Sequence, residues 1–198
     1  MIKKAAMFGL DARIALAIFG ALSVISGAAL YSAIQQAKVI QIITQMREIG
    51  KAYEQLILDL GSEVNMDASS PTFAREIEAL KTNSISSPFW KGPYISIENV
   101  EAVTQRIRTT DGKKIYIVCL QDGPFGGLNT SSGAKTCKVG DQNYNWVLYE
   151  TFPKDIVDAI DLAVDGEIDH LNGNIRIVEW SSNSYSIYMK LNPTLDFK

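Results

Sequence analysis

The sequence predicts an α+β fold, a long N-terminal α-helix packed on an antiparallel β-sheet, and three observations carry that expectation. Ile14 to Ile34 is an uncharged, largely apolar run. Apolar residues then recur at three- and four-residue spacing as far as Leu60, the signature of one helix face. Beyond Pro93 the chain breaks into short β-branched and aromatic segments separated by turn residues. The 198 residues leave, beyond the apolar run, enough chain for one modest core.

The first element explains itself by length and charge. The 21 residues from Ile14 to Ile34 are about enough to cross a bilayer as a helix. A secretory signal has a shorter apolar core, followed by small residues at its cleavage site. Here Ala5 and Ala6 precede the run, so it reads as a retained anchor. Lys3 and Lys4 stand before it, which places the N terminus in the cytoplasm and the remainder outside. Asp11, at the edge of the apolar segment, is costly in a membrane and asks for a purpose. Arg13 either snorkels to the headgroups or pairs with Asp11 within the chain.

The helix continues past the membrane. Val39, Ile42, Ile43, Met46, Ile49, Tyr53, Leu56, Ile57 and Leu60 form one stripe, and Gly61 is a stop signal. A helix from Met7 to Leu60 is about 80 Å long at 1.5 Å per residue. A dimeric coiled coil is the rival reading of this stripe, although the pattern covers only three heptads. Next, residues 72–82 (TFAREIEALKT) read as a short helix with Phe73, Ile77 and Leu80 on one side. Pro88, Gly92 and Pro93 then force a turn, with Trp90 and Tyr94 expected to plug the base of the sheet.

Strands are expected over 94–103, 113–121, 144–150, 174–180 and 184–191. Ser181 to Ser184 turns the last two into a hairpin, and Asp111-Gly112 marks another turn. Between the strands, residues 153–166 read as a helix opened by Pro153, with Ile156, Val157, Ile160 and Val164 on one face. Cys119 and Cys137 lie in a compartment where a disulfide persists, closing a Gly- and Ser-rich loop; two unpaired thiols are the alternative. Closure of about 15 residues is worth about 3 kcal/mol in the chain-entropy model.

Residues 7–20, MFGLDARIALAIFG, resemble the N terminus of type IV pilins and type II secretion pseudopilins. The Trp-Lys-Gly-Pro-Tyr turn and the segment DGEIDHLNGNIRI are more loosely similar to the same family. The resemblance implies a pilin-like fold with three parts: a leader over 1–6, a transmembrane helical half over 7–34, and a periplasmic or extracellular α+β domain over 35–198. It implies cleavage by prepilin peptidase between Ala6 and Met7, with a cut after Gly9 as the alternative. Asp11 then occupies the place of the family's Glu, four residues after the new N terminus. Its implied role is to set registry against the amine of Met7 on a neighbouring subunit, an amine that the family N-methylates without loss of charge. The chain departs from the pattern at Ala6 in place of Gly, at Asp11 in place of Glu, and at Arg13. Gly27 and Ala28 stand where many pilins carry Pro.

The function so implied is that of a structural subunit, not an enzyme, in a pilus-like or pseudopilus filament at the bacterial inner membrane. Its partners are copies of itself and related subunits, the peptidase, an inner-membrane assembly platform and the lipid bilayer. The alternative is an uncleaved single-pass anchor carrying a periplasmic binding module. The residues themselves point away from catalysis and from cofactors: His170 is the one histidine, without a nucleophile motif, and GPFGG lacks the Lys of a phosphate loop. With net charge −3 and no large basic patch, nucleic acid is not indicated as a partner. Asp161, Asp165, Glu167 and Asp169, followed by Asn172, gather oxygen ligands. Asp165, Glu167 and Asp169 are therefore the calcium candidates, in spacing that misses the EF-hand, and a solvated acidic turn is the plainer reading.

Overall fold

The structure is a computed structural model that describes residues 3–66, 74–97, 99–128 and 132–197. Two compact units make up the chain, Met1–Gln41 and Ile42–Lys198. Helix α1 runs over Lys3–Leu60 without a break and ends at Gly61, whose N–H reaches the Ile57 carbonyl at 2.8 Å.

In the second unit, seven strands form one sheet: β1 (Val100–Glu101), β2 (Arg106–Arg108), β3 (Lys114–Gln121), β4 (Gly127–Leu128), β5 (Asn143–Phe152), β6 (Ile175–Ser181) and β7 (Ser184–Pro193). Their order is β1-β2-β3-β5-β7-β6-β4, antiparallel except where β4 pairs with β6. The class is α+β, as the sequence predicts. The near-continuous apolar runs in β3 and β5 have a direct reason: the centre of the sheet is buried on both faces.

One face carries Ile115, Ile117, Val147, Tyr149, Ile175, Ile177, Ile187 and Met189, and the part of α1 from Ile42 to Leu60 lies on it. The Tyr149 hydroxyl meets Gln45 Oε1 at 3.1 Å, and a Cβ on Gly50 would fall 2.5 Å from Leu191 Cδ2. Ile43, Met46, Ile49, Tyr53, Leu56 and Ile57 are buried, so the expected stripe is the packed one, while Ile42 and Leu60 are half-buried at its margin. The opposite face holds Tyr116, Val118, Leu120, Trp146, Leu148, Val178 and Tyr188, capped by Ala74 and Phe125. Phe125 meets Trp146 and Tyr188 edge-on at 5.1 and 5.3 Å between centroids.

Phe125 belongs to the loop closed by the Cys119–Cys137 disulfide, whose Cα atoms are 5.5 Å apart. Replacing both cysteines with alanine is expected to lower unfolding stability by about 3 kcal/mol. Urea denaturation of the full chain in detergent, followed by tryptophan fluorescence, measures the loss. A loss below about 1 kcal/mol would show that Phe125 and the loop's hydrogen bonds hold it unaided.

Several turns form where the sequence places them. The Asp111-Gly112 turn joins β2 to β3, with Gly112 at φ 81, and Ser181 pairs Ser184 across the last hairpin. Helix α2 spans Lys154–Asp165 after Pro153 and closes on Gly166 in the left-handed region at φ 83, which a Cβ would strain. Ile156, Val157 and Ile160 are buried and Val164 is half-buried.

Other expectations are corrected. The helix expected over 72–82 is a 3-10 turn at Ile77–Leu80 only; Thr72 and Phe73 lie outside the described residues. Tertiary pairing takes the preceding residues. Ala74 bridges Val118 of β3, Met66 bridges Arg75, and the Arg75 N–H reaches the Ile117 carbonyl at 2.7 Å. The strand expected over 94–103 shrinks to Val100–Glu101, because Tyr94 and Ile95 both turn their N–H groups to the Leu80 carbonyl. Trp90 and Tyr94 do not plug the base of the sheet. They pack edge-on at 5.9 Å; the Trp90 indole donates to Ala79, and the Tyr94 hydroxyl reaches Asp59 at the end of α1. The short strands β2 and β4 carry no periodic signal that sequence reading could find.

Candidate functional site

The first unit is a bare apolar helix. Every residue from Asp11 to Ile34 is exposed, including Leu16, Phe19, Val24, Ile25 and Leu30 at more than three-fifths of their surface. Mean hydropathy reaches 2.1, and the helix is long and apolar enough to cross a membrane. Apolar residues on all sides fit a lipid or protein surrounding rather than water. Ser23 returns its hydroxyl to the Phe19 carbonyl at 2.8 Å, which satisfies the polar group inside the helix. The Ala6–Met7 peptide bond lies in the helical backbone of α1. Asp11 and Arg13 stand two residues apart in the same helix, on opposite sides, and no ion pair joins them. Helical geometry thus keeps Arg13 from satisfying the Asp11 carboxylate.

The second unit contains a buried polar hub that the sequence did not disclose. Arg75, fully buried, forms a bidentate pair with Asp196 at 2.6 and 3.0 Å, with further bonds to the Val64 carbonyl and Asn145 Oδ1. Glu63 lies 3.9 Å from its guanidinium and accepts from Tyr53 at 2.5 Å and from Asn145 at 2.9 Å. Burial works against the Arg75 charge, yet Asp196, Tyr53 and Glu63 together raise its pKa. Burial likewise pushes the Tyr53 hydroxyl well above its usual range, against the nearby Arg75. The hub joins α1, the segment after it, β5 and the residues following β7. Its groups satisfy one another, and it holds the domain together rather than presenting a reactive centre.

The acidic candidates are placed differently from a free turn. Asp161 is fully buried and accepts the Asp169 N–H at 3.0 Å. Asp165 accepts from Asn174 Nδ2 and the Ile175 N–H at 3.0 and 2.8 Å. Asp169 accepts from the Leu171 N–H and Asn172 Nδ2 at 3.0 and 2.9 Å, and Glu167 is exposed. Asp165, Glu167 and Asp169 are not brought together: among the described residues no group of three or more His, Cys, Asp or Glu is arranged to hold a metal ion. His170 is half-buried against Asp158, at 2.8 Å, rather than simply solvated.

One groove of about 410 Å³ runs between α1 and the extended residues 94–97, lined by Ile49, Ala52, Ile95 and Ile97 with polar Gln45, Glu48 and Lys51. Tyr94 and Ser96 complete its lining. No protein-family model, curated protein or solved structure matches the chain.

Proposed function

We propose that this chain is a structural subunit of a type IV pilus-like or type II secretion pseudopilus filament, anchored through α1 and assembled from the inner membrane. The observation that carries the reading is the exposed apolar helix headed by Asp11, a carboxylate with no ion-pair partner among the described residues. Removal of residues 1–6 would create an amine at Met7. A neighbour's Asp11 can neutralise that amine where water is scarce, and leaving either charge unpaired there costs several kcal/mol. That asymmetry would set the register of each added subunit. The rest of the helix supplies contact area for lipid before assembly and for neighbouring helices after it.

The reading as an uncleaved anchored module rests on Asp11 being satisfied by Arg13, and the two-residue helical spacing gives that pairing no support. Intact-mass analysis of the chain from cells with and without prepilin peptidase tests the proposal. A mature chain beginning at Met7, with the full-length form restored when the peptidase is absent, is the expected result. Persistence of Met1 in the presence of an active peptidase would remove the filament reading.

A further inference from the structure

Asp158, Asp161 and Asp165 stand at three- and four-residue spacing, so α2 turns a stripe of carboxylates toward the segment 166–175 that leads into β6. Each grips a different part of that segment. Asp158 Oδ1 lies 2.8 Å from His170 Nε2, and Asp161 Oδ2 accepts the Asp169 N–H at 3.0 Å. Asp165 accepts the Ile175 N–H at 2.8 Å. The segment then passes the grip onward. The Leu171 carbonyl accepts the Phe125 N–H at 3.2 Å, and the His170 carbonyl accepts the Ile177 N–H at 3.1 Å. Whatever changes the charge of the stripe therefore bears on the seat of the disulfide loop as well.

Asp161 is the strained member. It is fully buried, and its Oδ1 has no hydrogen-bond partner. Burial pushes its carboxyl up to about 6; the Asp169 amide and His170 oppose the shift, and Asp165 and Asp169 reinforce it. The charges facing it are Asp165 on its own helix, Asp169 and His170 on the segment, and Arg176 on β6. At the other end of the stripe, burial works against the Asp158 charge, but Lys154 and His170 hold its pKa below the usual range. Glu179 of β6 and Tyr185 of β7 face Lys154 there, while Asp155 and Glu167 are exposed.

We propose that segment 166–175 is a proton-controlled latch, gripped hardest when Asp161 carries a proton and relaxed as it releases it. The sign follows from the carboxyl. When the latch opens, Asp161 meets water and returns to an ordinary value near 3.8, whereas in the closed form it holds its proton up to about 6. Closing therefore takes up a proton in the interval between, and it weakens as pH rises through about 6.

Hydrogen exchange of the full chain in detergent, corrected for intrinsic rates, reads the latch at the Asp169 and Ile175 amides. Protection is expected to be about tenfold higher at pH 5 than at pH 8, with the β3 and β5 amides unchanged. Asp161→Asn keeps an oxygen for the Asp169 N–H and should abolish most of that difference. Equal protection at both pH values, retention of the full effect in Asp161→Asn, or a parallel change in β3 and β5 would each overturn the latch.

Discussion

Arg75→Leu is expected to lower the stability of the domain by about 3–5 kcal/mol, the range found when one partner of a buried ion pair is removed. The substitution leaves Glu63 buried without its cation, and it strips Asn145 Oδ1 and the Val64 carbonyl of a donor. Asp196 suffers less, because its side chain is about two-fifths exposed and can turn to water. Urea denaturation of the full chain in detergent would show the loss as a lower midpoint with a similar slope. Arg75→Lys should recover only part of it, since an ammonium cannot form the two-bond fork to Asp196. Adding Glu63→Gln to Arg75→Leu should restore stability by removing the stranded charge. A loss under about 1 kcal/mol for Arg75→Leu would mean that the hub contributes little beyond its packing.

Asp11→Ala is expected to abolish filament formation while leaving the chain inserted and folded. If the carboxylate meets an amine in a low-dielectric setting, its loss removes on the order of 3 kcal/mol from each incoming subunit. That is more than a hundredfold in the equilibrium for addition. Asp11→Glu should assemble, since it keeps the charge, and Arg13→Ala should assemble because Arg13 does not hold Asp11 within the helix. Electron microscopy of sheared surface material, with membrane fractionation to confirm insertion, distinguishes these cases. Normal filaments from Asp11→Ala, or equal defects in Asp11→Ala and Arg13→Ala, would count against a registry role for the carboxylate.

Local rules made much of this fold legible. The stripe from Ile43 to Ile57 was visible because packing one helix on one sheet face needs only the helical period. The start of α2 at Pro153 and the turns at Asp111-Gly112 and Ser181–Ser184 are visible because proline, glycine and short polar residues report backbone geometry directly. The Cys119–Cys137 disulfide matches the expectation drawn from a Gly- and Ser-rich loop that gains from closure. What stayed hidden depends on partners far away in sequence. Ala74 and Arg75 sit in a run with helical spacing, yet pairing with Met66 and β3 claims their backbone. Residues 94–97 alternate like a strand, but their first two N–H groups are spent on Leu80.

The candidate site shows the same division. Asp11 is conspicuous because it is a charge at the edge of an apolar run, whereas Ala6 and Met7 are marked only by the resemblance of residues 7–20 to pilin-type N termini. The acidic residues around Asp165 are equally conspicuous, but their hydrogen-bond partners are not legible in the sequence. Composition suggested a solvated turn or a cation site, whereas the stripe on α2 spends its oxygens on neighbouring backbone and amide donors. Glu63 and Asn145 carried no signal at all, since neither neighbours Arg75 in sequence.

The pairing of Arg75 with Asp196 across 121 positions also bears on when the domain can finish folding. A chain emerging N-terminus first presents α1 and the guanidinium long before the carboxylate that completes its surroundings. Such a distant contact is slow to find, because loop closure must come before any reward. Until residues 194–197 arrive, the arginine must stay hydrated, and the gap between α1 and β5 cannot close dry. Asp196 thus completes the surroundings of a cation that the chain presents 121 positions earlier.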